Sequence, residues 1–142
     1  MIPSKIPEYL TLNTGFLLSK SAQRVREMLN EALSSLQITC SHFGVLWLLH
    51  EDGAMSQQQA CEILRIDRST MVNLVDDLER LSYVERKPDA NDRRVHLLSI
   101  TAAGKSSLPK MSALAREVEQ SFSAPLSKTE WKLLNDLLRR LL

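Results

Sequence analysis

The stretch that decides the fold is DRSTMVNLVDDLERLSYVERKPDANDRRVHLLSIT, Asp67 to Thr101. Its first half has helical periodicity. At about 100° per residue, Met71, Leu74, Val75 and Leu78 gather on one side, as a core stripe does. Ser69, Asn73, Asp76 and Arg80 lie opposite, with Val72 and Asp77 on the flanks and Arg68 and Thr70 in the first turn. Asp67 is placed to cap this helix. Its second half is the only strong strand signal in the chain. Tyr83–Lys87 and Val95–Ile100 flank a tip rich in Pro, Asp and Asn, the composition of a hairpin turn.

Upstream, SQQQACEILRI opens on Ser56 with Gln59 three residues on, a capping-box spacing. Arg65 breaks that short helix just before Asp67. Two short helices around a tight turn form a helix-turn-helix. With the hairpin after it, the pattern becomes a winged helix. ITCSHFGVLWLLHEDG precedes it. Thr39 is a good N-cap, and the apolar run Phe43–Leu49 stops at Asp52–Gly53, so a central helix is expected.

The flanks are helical too. Pro3 and Pro7 keep the first residues out of a helix. From Glu8 to about Leu36, apolar residues recur at three-four spacing, with more apolar surface than one small neighbour needs. Thr101 caps a helix expected to run to about Phe122, kinked or broken at Pro109. Ser127 and Glu130 open a last helix through a second capping box. The expected class is mainly α with a small β-hairpin: a winged helix-turn-helix at 39–101 within helical flanks, 8–36 and 102–142.

Bulk properties narrow the function. The net charge of +1 over 142 residues announces no polyanion partner, so a nucleic-acid reading must rest on where charges sit. Aromatic content of 5% argues against a base-stacking surface for single strands. Cys40 and Cys61 make no disulfide framework and no metal spacing, and His42, His50 and His96 are scattered. No phosphate-cradling glycine loop, nucleophile motif or metal box is present, so neither an enzyme nor a cofactor is expected. No apolar stretch suits a signal peptide or a membrane span, which leads to the expectation of a cytoplasmic protein.

The outer face of the Asp67–Arg80 helix is short, polar and rich in donors near its start. That suits a major groove, where the first turns reach base edges. Arg68 has the fork for guanine, Asn73 the amide for adenine, and Ser69 and Thr70 can bond bases or phosphates. Ser56, Gln57, Arg65 and Arg80 are counted with these DNA-contacting candidates. At the wing tip an arginine can enter a minor groove. Asp92 and Arg94, at i and i+2, share one side of an extended chain, so Asp92 is expected to orient Arg94 while Arg93 and Lys87 face phosphates. A solvated helix face and a polar turn would have the same composition, and Asp76 and Asp77 weigh against phosphate contact. A winged helix kept as a protein-interaction module is therefore the alternative. Phe16, His42 and Trp47 are candidates to line a ligand cleft between the flanking helices and the winged helix.

The segment from Arg65 to Gly104 closely resembles the MarR family of winged-helix transcription regulators. The Asp-Arg-Ser-Thr opening, the Leu-Val-Asp run, the Asp-x-x-Asp-Arg-Arg wing and Ile100-Thr101-Ala102-Ala103-Gly104 carry the likeness. That resemblance implies a homodimer interlocked through the first and last two helices. It also implies binding to pseudo-palindromic duplex DNA, repression, and release by a small ligand such as an aromatic carboxylate. By position, the minor-groove arginine is Arg94 and the wing aspartate Asp92. Three features depart from the family's pattern. Arg65 stands at the usual turn glycine, Asn73 and Asp77 stand where many relatives are basic, and the first helix lacks the cysteine of peroxide-sensing members.

Overall fold

A computed structural model describes residues 5–142; Pro3 lies outside them. The elements in order are α1 (Glu8–Thr11), α2 (Thr14–Leu33), a 3-10 turn (Ser34–Leu36), α3 (Cys40–Asp52), β1 (Met55–Ser56), α4 (Gln57–Leu64), α5 (Arg68–Arg80), β2 (Val84–Pro88), β3 (His96–Ile100), α6 (Ala102–Ser123) and α7 (Lys128–Leu141). The fold is mainly helical, with a winged helix at its centre.

The three strands form an antiparallel sheet in the order β1-β3-β2. Val84 pairs with Ile100, Arg86 with Leu98 and Pro88 with His96, which fixes the wing register. Met55 pairs with Leu98 from the other side. β1 is an addition to the expected hairpin, since two residues are too few to show an alternating pattern.

The core lies where α3, α5, β3 and α6 meet. Val45, Leu46, Leu49, Met71, Val75, Leu78, Leu98 and Met111 are all essentially fully buried. Met71, Leu74, Val75 and Leu78 make the expected stripe of α5. α6 begins unusually close to the strand. Thr101 caps it by accepting from the Gly104 N–H at 3.0 Å, while its hydroxyl donates to the Ser82 carbonyl at 2.6 Å. A β-carbon on Gly104 would lie 2.3 Å from the Tyr83 carbonyl oxygen, so only glycine fits there.

Two expectations are corrected. The first helix is not continuous from Glu8 to Leu36. Asn13 accepts a hydrogen bond from the Phe16 N–H at 2.9 Å and starts α2 anew. A short amide side chain competes with the helical backbone in this way, and the three-four apolar spacing runs across the break without registering it. At Pro109 the outcome is the reverse for one of the two alternatives: α6 runs through it without a break. The proline is exposed, while Leu108 and Met111 on either side are buried and hold both turns to the core.

Candidate nucleic-acid interface

The interface is built on the turn between α4 and α5. Arg65 ends α4 in a left-handed conformation, φ 52° and ψ 45°. A non-glycine residue there costs on the order of 1 kcal/mol. Asp67 then caps α5 and accepts three hydrogen bonds: the Thr70 N–H at 2.9 Å, the Thr70 hydroxyl at 2.6 Å and the Ser69 hydroxyl at 2.8 Å. The Thr70 hydroxyl, then its N–H, then the Ser69 hydroxyl lower the Asp67 carboxyl to a pKa of about 2. Both hydroxyl protons are thereby committed to Asp67. Ser69 and Thr70 remain exposed at the helix start, but a phosphate, which only accepts, must displace Asp67 to use their side chains.

Arg68 and Asn73 face solvent and form no ion pair or side-chain hydrogen bond among the described residues. Farther along α5 every charge is tied down. Asp76 accepts from Arg86 at 2.9 Å, and Glu79 pairs with the same guanidinium. Asp77 holds His42 Nε2 at 3.1 Å and also pairs with Arg80. The acids that argued against DNA thus have internal partners. Arg86, absent from the sequence candidates, clasps β2 to α5; its signal was a lone arginine on the strand opposite two acids of the preceding helix.

At the wing, Asp89 accepts from the Asn91 N–H at 2.9 Å, and the Asp92 carbonyl accepts from the Val95 N–H at 3.0 Å. Asp92 receives Arg94 as a fork, Nε to Oδ1 at 3.1 Å and Nη2 to Oδ2 at 3.2 Å, and also takes the Arg94 N–H at 3.0 Å. These bonds, the side-chain ones first, hold the Asp92 carboxyl below the usual carboxylate range. Arg94 is nevertheless 90% exposed, so it is aimed and reachable at once. Arg93 is exposed without an ion pair among the described residues. Lys87 and Arg80 are exposed but paired, Lys87 with Glu85 at 2.8 Å and Arg80 with Asp77. Exposed pairs of this kind contribute about 0–1 kcal/mol, so a phosphate competes for either side chain.

Ser56 is half-buried and caps α4 together with Gln59, the two exchanging bonds at 3.1 and 3.0 Å. Gln57 follows in the first turn of α4, half-buried.

The profile of the MarR family matches residues 36–95, from the end of the 3-10 turn to the wing tip just before β3. An uncharacterized HTH-type transcriptional regulator of Bacillus subtilis, YwaE, is 32% identical over 124 residues, covering 87% of this chain and 72% of that one. This chain belongs to the MarR family. It is a DNA-binding transcriptional regulator. A mutant of MarR from Escherichia coli complexed with operator DNA superposes with a TM-score of 0.84 at 26% identity, over 96% of this chain and 99% of that one. BpsR of Bordetella bronchiseptica, whose DNA binding is regulated by 6-hydroxynicotinic acid, superposes at 0.85 with 25% identity, over 96% and 97%.

A crevice of about 660 Å³ opens between α2, α3 and α6, lined by Leu29, Cys40, Phe43, Trp47, Leu64 and Arg116 among others. Trp47, expected there, is 43% exposed and stacks edge-on against Phe43. Phe16 and His42 do not line it. The Phe16 ring lies in the first turn of α2 beneath the Lys20 ammonium, 5.9 Å away, because the Asn13 cap begins a new helix at that point. His42 is buried at 6% exposure because it is the N3 residue of α3 and turns back over its own cap. The Thr39–His42 spacing, equal to that of Ser56–Gln59 and Ser127–Glu130, carried the signal. Cys61 is half-buried against the core, and Cys40 is half-buried at the crevice, its N–H bonded to Asn30 at 2.8 Å. Among the described residues no three His, Cys, Asp or Glu converge as metal ligands, and no single helix is long and apolar enough to cross a membrane.

Proposed function

We propose that the protein acts as a homodimeric, effector-responsive repressor on a pseudo-palindromic operator. Each α5 enters a major groove by its N-terminal turns, with Arg68 and Asn73 at base edges, Arg65 at phosphates, and Ser69 and Thr70 in support. Ser56, Gln57, Arg80, Lys87 and Arg93 meet the backbone. Arg94 enters the flanking minor groove. The observation that carries this reading is the Asp92–Arg94 fork. A surface arginine gains little from one exposed carboxylate, but a guanidinium held straight gains selectivity for a narrow groove.

The ends of the chain support the dimer. α7 has no buried residue, and its Leu133, Leu137 and Leu141 are exposed, as are Leu12, Leu17 and Leu18 at the other end. An apolar groove of about 730 Å³ joins the two ends, lined by Leu17, Leu18, Phe122, Trp131, Leu134 and Leu138. A second copy of the same surface covers it in this reading. The division into a DNA-binding region at 39–101 and dimerisation flanks at 8–36 and 102–142 follows. For the effector, the crevice offers Trp47 and Phe43 to an aromatic ring and Arg116 to a carboxylate. The alternative of a protein-interaction module rested on Asp76, Asp77 and the near-neutral net charge of +1; both acids have partners within the chain, which weakens the first ground and leaves the charge as it was.

The test is selection of genomic duplex fragments by the purified protein, followed by a gel-shift titration across salt concentrations. Affinity should fall steeply as salt rises, because several phosphates release their counterions. No complex with any fragment at low salt overturns the reading.

A further inference from the structure

His42 is the only buried polar or charged side chain among the described residues, and both its ring nitrogens are used. Nδ1 accepts the Thr39 backbone N–H at 2.9 Å, with the Thr39 hydroxyl 2.8 Å from the same atom. A backbone N–H can only donate, so Nδ1 is bare and the ring hydrogen sits on Nε2. Nε2 lies 3.1 Å from Asp77 Oδ2, in the third turn of α5 and 35 residues away in sequence. A rigid ring therefore spans from the cap of α3 to the middle of the recognition helix. Asp77 in turn pairs with Arg80, one turn farther on.

We propose that His42 is a positioning residue for DNA recognition, fixing α5 against α3 through Asp77 so that its first turns meet the groove at one angle. The inference rests on the reading that α5 enters DNA. Apolar packing along Met71, Val75 and Leu78 fixes which face of α5 is buried, while the polar contacts at its edges add a directional constraint on its final angle. A charge-assisted hydrogen bond at the half-exposed edge supplies that direction. Arg86, holding Asp76 and Glu79 from the wing side, is its counterpart across the helix.

Two substitutions separate the two ends of the ring. His42→Asn keeps an acceptor within reach of Thr39 but is too short for Asp77. His42→Gln carries an amide nitrogen to about the place of Nε2. The quantity to read is the ratio of operator affinity to non-specific duplex affinity, so that binding of a released Arg80 to phosphate cancels. His42→Asn and Asp77→Ala should each lower that ratio, about tenfold for the loss of a hydrogen bond to a charged group. The double variant should lose little more than either, because the pair acts as one unit. His42→Gln should recover most of the ratio. Asp77 is half-exposed, so Asp77→Ala keeps the test open should His42→Asn fail to fold, and nitrogen NMR of the wild-type ring should show one bare and one protonated nitrogen. A wild type that discriminates its operator while His42→Asn and Asp77→Ala discriminate as well as it does overturns the positioning role alone. A wild type with no operator preference overturns the DNA reading and this role together.

Discussion

The winged helix and the chain ends treat apolar residues in opposite ways. Between Ile38 and Ile100 the apolar side chains of every helix and of β3 converge on one core, and several are at zero exposure. α7 buries none of its leucines, and α2 buries only Leu33 at its last turn. Composition does not separate the two regions; company does. A leucine at 56% exposure in a 14-residue amphipathic helix signals that part of the solvent-exclusion surface comes from elsewhere. The centre of this protein is complete within one chain, and its ends carry the exposed apolar surface that the proposed dimer would cover.

The largest effect should come from breaking the ends. Leu137→Glu places a charge on the exposed apolar face of α7. Sedimentation should show monomers, and operator affinity should fall by about two orders of magnitude or more as two linked half-site contacts become independent. A dimer of wild-type affinity would mean that the α7 face has another use. Next, Gly104→Ala attacks the centre, where the new methyl meets the Tyr83 carbonyl. Overpacking of this kind costs about 1–3 kcal/mol, read as a lower denaturation midpoint in urea. An unchanged midpoint would show that α6 can slide away from the strand. The two variants should fail differently: the first remains folded and monomeric, the second remains a dimer and unfolds early.

A smaller, opposite change is expected at the turn. Arg65→Gly relieves the left-handed backbone at φ 52°, worth up to about 1 kcal/mol of added stability, partly offset by the freer unfolded chain. If operator affinity falls while stability rises, the Arg65 side chain touches DNA. The smallest effect concerns pH. Asp92 has its pKa depressed in the folded wing, so its hold on Arg94 is fully present above the ordinary carboxylate value and is lost as pH falls through the depressed one. Arg94 Nε–H exchange protection should therefore persist from neutral pH to below the usual carboxylate range. Loss of protection already near pH 5 would contradict the fork.

Much of this was legible in the sequence, for identifiable reasons. Caps are local chemistry: Ser56, Asp67, Thr101 and Ser127 each cap the helix that their spacing indicated. The α5 stripe is a periodic signal over thirteen residues, long enough to be unambiguous. Arg94 and Asp92 meet as expected from their i, i+2 spacing, but through a turn closed by the Val95 N–H on the Asp92 carbonyl and not along the extended chain that the sequence suggested. What could not be read depends on contacts distant in sequence. Arg86 meets Asp76 and Glu79, and His42 meets Asp77, only after the strands and helices have packed. For the same reason Asp76 and Asp77, which looked like obstacles to DNA, fasten α5, the helix proposed to read bases. β1 exists because β3 offers a free edge to Met55 and Ser56, a fact of pairing with no trace in a two-residue string.

The most direct measurement compares the wild type with Arg94→Ala in a gel-shift titration on the selected operator. The variant should stay folded and dimeric and lose about 1–3 kcal/mol of operator binding, up to roughly a hundredfold in Kd. Equal operator affinities for the two proteins would contradict the claim that the wing reads DNA through an arginine aimed by Asp92.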